Sequence, residues 1–171
     1  MKKKYIKDYV PKEDSSYEYK GKYFFCEREE KERKVSGILQ LCYGSISMIL
    51  LLVLLCFPGR GVQTLYVVLP LEIMMVCYLY HLIGSYGLLT VQSPMEQRFY
   101  DKVFERPIQS LTVALILEFF SLSGQAIGVI LAKRATGWDW IMEVLLLLHF
   151  VSSFYFWNRQ RKEMKFVKEK K

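Results

Sequence analysis

The chain has 171 residues, 52% of them hydrophobic and 24% charged, and a formal net charge of +7. Its four cysteines, Cys26, Cys42, Cys56 and Cys77, form no CxxC spacing and three of them lie within apolar stretches, so neither a disulfide framework nor a metal site is expected. Charge is segregated into the first 36 positions, a central segment near 93–106 and the last 13 positions, a pattern that a soluble core does not produce and that membrane spans do.

The N-terminal arm, residues 1–36, contains Tyr17-Glu18-Tyr19-Lys20-Gly21-Lys22-Tyr23-Phe24-Phe25, which alternates aromatic and charged residues around a glycine and predicts an extended turn or hairpin. Cys26 to Val35 is rich in Glu, Lys and Arg without glycine or proline, so it predicts either a helix running into the first span or a solvated charge run. Interleaved tyrosine and lysine can stack single-stranded nucleic acid. Here the basic residues flank apolar spans and alternate with glutamate, so nucleic acid is not expected as a partner. Their role is to set topology and to contact anionic lipid headgroups, worth about 1 kcal/mol per basic residue.

Crossing a hydrocarbon core of roughly 30 Å takes about 20 apolar residues, and four runs qualify. Span one covers 37–57. The first long apolar run starts only near Gly37 and no small-residue cleavage site follows it, so the span is expected to be retained. Pro58-Gly59-Arg60-Gly61 reads as a compact turn. Span two covers 64–89 and contains Pro70, which removes a backbone donor and should kink it.

Between spans two and three, Ser93-Pro94-Met95-Glu96 has the spacing of a capping box with a first-turn proline and predicts a helix over 94–105. Met95, Phe99 and Val103 recur every four residues, making that helix amphipathic and suited to the inner membrane surface or to a soluble partner. Span three covers 107–132. Its residues Ala114, Glu118, Ser121, Gln125, Gly128 and Ala132 share one small, polar face, and Gly124 and Gly128 form a GxxxG pair that permits close helix packing beside Ser121. A short turn leads to span four, 138–157, bracketed by Trp138 and Trp140 at one end and by Phe154, Tyr155, Phe156 and Trp157 at the other. In the basic tail, 158–171, Arg159, Arg161 and Lys162 are the expected lipid contacts.

Lys and Arg number eleven in residues 1–36, three in the central loop and seven after Asn158, against three (Arg60, Lys133, Arg134) on the opposite side. By the positive-inside rule both termini are cytoplasmic. The expected fold is an all-α integral membrane protein of four transmembrane helices arranged as two hairpins, with an amphipathic cytoplasmic helix between spans two and three.

Ionisable residues inside spans cost about 2.5–3.5 kcal/mol near the bilayer centre and need compensation. Counted from the outer ends, Glu118 lies about 21 Å deep, His149 about 17 Å, Glu72 about 12 Å and Glu143 about 8 Å. Glu118 and His149 can meet, because spans three and four are joined by a short turn. Glu72 and His81, nine residues apart, project on opposite sides of one helix, and Glu143 and His149 also diverge. Two readings stay open: a protonatable pocket of Glu118, His149, Glu72 and Gln125 serving an ion, proton or small polar substrate, or interhelical hydrogen bonding between groups held neutral by apolar surroundings.

Tyr19-Lys20-Gly21-Lys22-Tyr23 before the first span and Leu65-Tyr66-Val67-Val68-Leu69-Pro70 opening the second resemble uncharacterised four-span integral membrane proteins of Gram-positive (Firmicutes-type) bacteria. The resemblance implies a bacterial plasma membrane and carries no activity across. The sequence holds no phosphate loop, HExxH pair, GxSxG elbow or intramembrane aspartate pair, so neither an enzyme nor a cofactor is expected. What remains is an accessory or interaction subunit of a larger membrane complex, or a small transporter or channel component working as a homo-oligomer.

Overall fold

A computed structural model describes residues 8–12, 16–26, 29–56, 65–90, 92–131, 135–163 and 166–169. Four helices dominate them: α1 (Glu30–Leu55), α2 (Leu65–Thr90), α3 (Gln97–Leu131) and α4 (Gly137–Glu163). All four are long and apolar enough to cross a membrane, which fits a multi-pass membrane protein. The turn expected at 58–61 lies outside the described residues, as do 133–134 of the turn expected at 133–137.

The charged run before the first span is helical from Glu30, so α1 begins seven residues ahead of the expected span and carries its polar first turns out of the apolar zone. Glu30 and Lys34 pair across one of these turns at 2.6 Å. Pro70 lies within α2, which continues unbroken on both sides of it.

Five short strands gather at one end of the bundle. β1 (Tyr9–Pro11) pairs antiparallel with β2 (Tyr17–Tyr19), while β3 (Tyr23–Cys26) pairs on one edge with β4 (Met95–Glu96) and on the other with β5 (Phe166–Glu169). Residues from the N-terminal arm, the central loop and the C-terminal tail therefore meet in one sheet, and this end of the bundle is called the terminal end below. The arm is extended, as its alternation predicts, but the pairing is not made within 17–25: β2 pairs with β1 a few residues upstream, while β3 takes its partners from residues distant in sequence, which no local pattern announces.

The same pairing corrects the expectation for 94–105. Met95 and Glu96 give their backbone to β3, so no helix starts at Pro94 and the capping box does not form. The helix begins at Gln97, with no side-chain cap at Glu96, and Ser93 Oγ accepts a hydrogen bond from the Cys26 amide at 3.3 Å instead. Nor is the segment a separate helix, because α3 runs from Gln97 to Leu131 without interruption. Residues Asp101–Glu105 form a π-helical turn just ahead of Pro107. Proline gives no N–H and its ring crowds the carbonyl four residues back, which a wider turn relieves. The expected apolar stripe is split: Met95 and Val103 are buried, while Phe99 is exposed.

α4 continues past Asn158 to Glu163, and Phe166–Glu169 is a strand of the sheet.

Within the bundle α2 packs against both α1 and α3, and α3 packs against α4. The tightest approach is not at the GxxxG pair. A Cβ at Gly84 would stand 1.9 Å from Pro107 Cγ, and one at Gly87 would stand 2.6 Å from Val103 Cγ2, so the missing side chains let α2 and α3 touch near the terminal end. The core holds fully buried Leu51, Leu54, Leu71, Met74, Met142 and Leu146.

Candidate functional site: a polar seam inside the bundle

Each helix contributes a polar stripe to the interior. On α1, Ser36, Gln40, Tyr43 and Ser47 are buried at steps of three and four, which places them on one face. On α2 the corresponding residues are Tyr78, His81 and Ser85, on α3 Glu118, Ser121 and Gln125, and on α4 Asp139, His149, Ser153 and Gln160.

At the centre, Glu118 Oε1 and His149 Nδ1 are directly hydrogen-bonded, and both side chains are essentially inaccessible. A carboxyl and an imidazole sharing one proton are neutral as a pair whichever of them holds it, so burial costs far less than for either charge alone. The second atoms of both groups, Glu118 Oε2 and His149 Nε2, are buried without a hydrogen-bond partner. The ring of Tyr78 packs against His149 with centroids 5.6 Å apart.

Next to the pair lies a hydroxyl triangle. Tyr43 donates to Ser153 Oγ at 2.8 Å, Ser153 donates to the His149 carbonyl at 2.8 Å, and the Tyr78 hydroxyl lies 3.1 Å from Tyr43 and 2.9 Å from Ser153. With one proton per hydroxyl, Tyr78 gives its own to either neighbour and the triangle is satisfied. Phe156 stacks on the Tyr43 ring at 4.0 Å and fixes it. Tyr43 and Ser153 thereby join α1 to α4.

Toward the terminal end, Gln40 Oε1 accepts from Gln160 Nε2 at 3.3 Å, and Ser85, whose one proton goes to the His81 carbonyl at 2.8 Å, stands 3.4 Å from the same Gln40 oxygen. His81 is 1% exposed, and neither ring nitrogen makes a hydrogen bond of acceptable geometry, although the Gln40 carbonyl faces the ring. Toward the far end, Gln125 Nε2 donates to the Asp139 carbonyl at 3.4 Å, Ser121 donates to the Val67 carbonyl at 3.4 Å, and Glu143 keeps one buried, unpartnered oxygen.

Of the four residues expected to share a pocket, Glu118 and His149 meet and Gln125 lies two turns further along the same buried face of α3. Glu72 does not join them. It is exposed on the outer surface of α2, beside Leu69, Ile73 and Val76, which are exposed too. The nine-residue step to His81 does put the two on opposite sides, and His81 is the inner one.

Gly124 and Gly128 face α2 of the same chain: a Cβ at Gly124 would stand 2.8 Å from the Tyr66 ring, and one at Gly128 would stand 3.4 Å from its hydroxyl. Ala132 lies outside the described residues. Among the expected lipid contacts, Arg161 and Lys162 are exposed, with the Arg161 guanidinium 4.9 Å from the Trp157 ring centre. Arg159 is instead half-buried in a crevice with Ser36 and Leu39.

Tyr43, Tyr78, Gln40 and Gln160 belong to this seam without being the acids or imidazoles that stand out in an apolar span. The signal was present in the spacing 36, 40, 43, 47 on α1, which repeats the logic applied to α3. Outside the spans, Tyr9 donates to Glu96 Oε2, and burial together with that carboxylate pushes the Tyr9 phenol up to about 12. Among the described residues no group of three or more His, Cys, Asp or Glu is placed to hold a metal ion.

Compared against protein families, curated proteins and solved structures, the chain matches none of them.

Proposed function

We propose that the chain is a plasma-membrane subunit that works by assembling with a different membrane protein. It crosses the bilayer four times as two helical hairpins, with both termini in the cytoplasm. The distribution of Lys and Arg supports that orientation, as does the sheet that gathers arm, loop and tail at one end.

The observation that carries the reading is Glu72. Its carboxyl stands on an apolar outer face about 10 Å from the start of α2. A lone carboxyl there is costly in lipid and is relieved by a partner helix that offers a hydrogen-bond donor. The test is native mass spectrometry after mild extraction. A second protein should co-purify in fixed stoichiometry with the native chain and be lost from Glu72→Leu, while that variant still melts as the native chain does. Equal recovery of the partner by Glu72→Leu would refute the role of this face.

A second reading is favoured by the unpartnered Glu118 Oε2 and His149 Nε2. Together with the neighbouring hydroxyl triangle they form a centre that can exchange a proton inside the bundle, as a small oligomeric transporter would need. Glu118→Gln keeps the shape and removes the exchangeable acid. Unaltered proton uptake into vesicles containing this variant, with unaltered folding, would leave the pair a purely structural role.

A further inference from the structure

A groove of about 500 Å³ lies at the terminal end of the bundle, between the last turns of α2 and the first turns of α3. One wall is Ile83, Tyr86 and Gly87, the other Phe99, Lys102 and Val103. Ile83, Tyr86 and Phe99 are large side chains left 54%, 62% and 47% exposed. Ile83 lies seven residues, roughly 10 Å, inside the end of α2 at Thr90. The groove therefore starts within the apolar span and emerges beyond it, where Thr90, Gln92 and Glu96 replace the apolar wall. Its polarity changes along its length as that of a lipid molecule does, tail inside and headgroup at the surface.

The charges at the emerging end decide which lipid. Lys102 is an exposed cation presented from the π-helical turn, and Glu96 is a carboxylate steadied by the Tyr9 hydroxyl. A purely anionic headgroup would gain Lys102 and be repelled by Glu96. A headgroup carrying both a phosphate and an ammonium meets one opposite charge for each. A primary ammonium donates charge-assisted hydrogen bonds to a carboxylate, which a quaternary one cannot. We propose that this groove binds one phospholipid of the phosphatidylethanolamine class, its acyl chain along Ile83, Tyr86 and Gly87, its phosphate on Lys102 and its ammonium on Glu96. This site is separate from the Glu72 face and holds whether or not a protein partner docks there.

The experiment is native mass spectrometry of the purified full chain with equimolar phosphatidylethanolamine, phosphatidylcholine and phosphatidylglycerol of identical acyl chains. The expected result is a single bound lipid with phosphatidylethanolamine preferred by about tenfold, the value of one charge-assisted hydrogen bond. Lys102→Gln should weaken all three lipids. Glu96→Gln should bring phosphatidylethanolamine down to the level of phosphatidylcholine, and Tyr9→Phe, which leaves the carboxylate in place, should retain the preference. Ile83→Trp fills the groove from an exposed position and should abolish the bound lipid without touching the strands, so it tests the site even if Glu96→Gln fails to fold. A preference for phosphatidylglycerol or phosphatidylcholine, equal retention of all three lipids, no retained lipid, or a preference unchanged by Ile83→Trp would overturn the proposal.

Discussion

Glu118 and Glu72 are the same residue type, each embedded in an apolar stretch of sequence, yet they occupy opposite environments. Glu118 is fully buried at the centre of the bundle with His149 against one oxygen, whereas Glu72 faces outward among Leu69, Ile73 and Val76. Depth along a span is a property of sequence position, while the environment is set by the face a residue occupies. Inside, the cost of the carboxyl is reduced by His149 on one oxygen, although the other oxygen has no partner. Outside, no such partner stands beside it among the described residues of the bundle, and the assembly proposed above rests on that outer carboxyl.

The contrast is broken most forcefully by removing one half of the inner pair. Glu118→Leu or His149→Leu alone should destabilise the bundle by about 3–5 kcal/mol, because a buried polar group is left unpaired. The double variant Glu118→Leu/His149→Leu should recover most of that loss, read by unfolding of the purified protein in detergent. A smaller probe is packing. Gly84→Ala puts a methyl into Pro107 and should cost about 1–3 kcal/mol, while Gly137→Ala, with nothing within 4 Å, should cost well under that in the same assay. Removing the Tyr43 corner of the hydroxyl triangle with Tyr43→Phe takes away its contacts to both Ser153 and Tyr78 and should cost about 1–2 kcal/mol, at roughly 1 kcal/mol for each hydrogen bond. Smallest of all, Glu72→Leu should leave the isolated chain's unfolding unchanged within about 0.5 kcal/mol or raise its stability. A loss as large as that of Glu118→Leu would put Glu72 inside and erase the distinction.

Helical phase was legible in the sequence and helical facing only partly so. Steps of three and four placed Glu118, Ser121 and Gln125 together on α3, where the small and polar composition of the stripe also said that it turns inward. On α2 the nine-residue step separated Glu72 from His81, but both are ionisable and nothing local says which of the two is inside. That choice is made by Tyr43 on α1 and Ser153 on α4, which close around the His81 side of α2 through Tyr78. The strands were less legible still. β3 is only four residues long and takes its partners from positions 95–96 and 166–169, and a capping-box spacing at 93–96 pointed to a helix that the sheet pairing overrides.

A hydrophobic carbodiimide, which dissolves in the bilayer and modifies carboxyl groups reachable from lipid, separates the two environments without any mutation. Applied to the purified chain in vesicles of defined lipid and followed by peptide mapping, it should mark Glu72 and spare Glu118. Modification of Glu118 with Glu72 untouched would mean that the wrong faces have been assigned to the helices, and the inward pair with its outward counterpart would have to be abandoned.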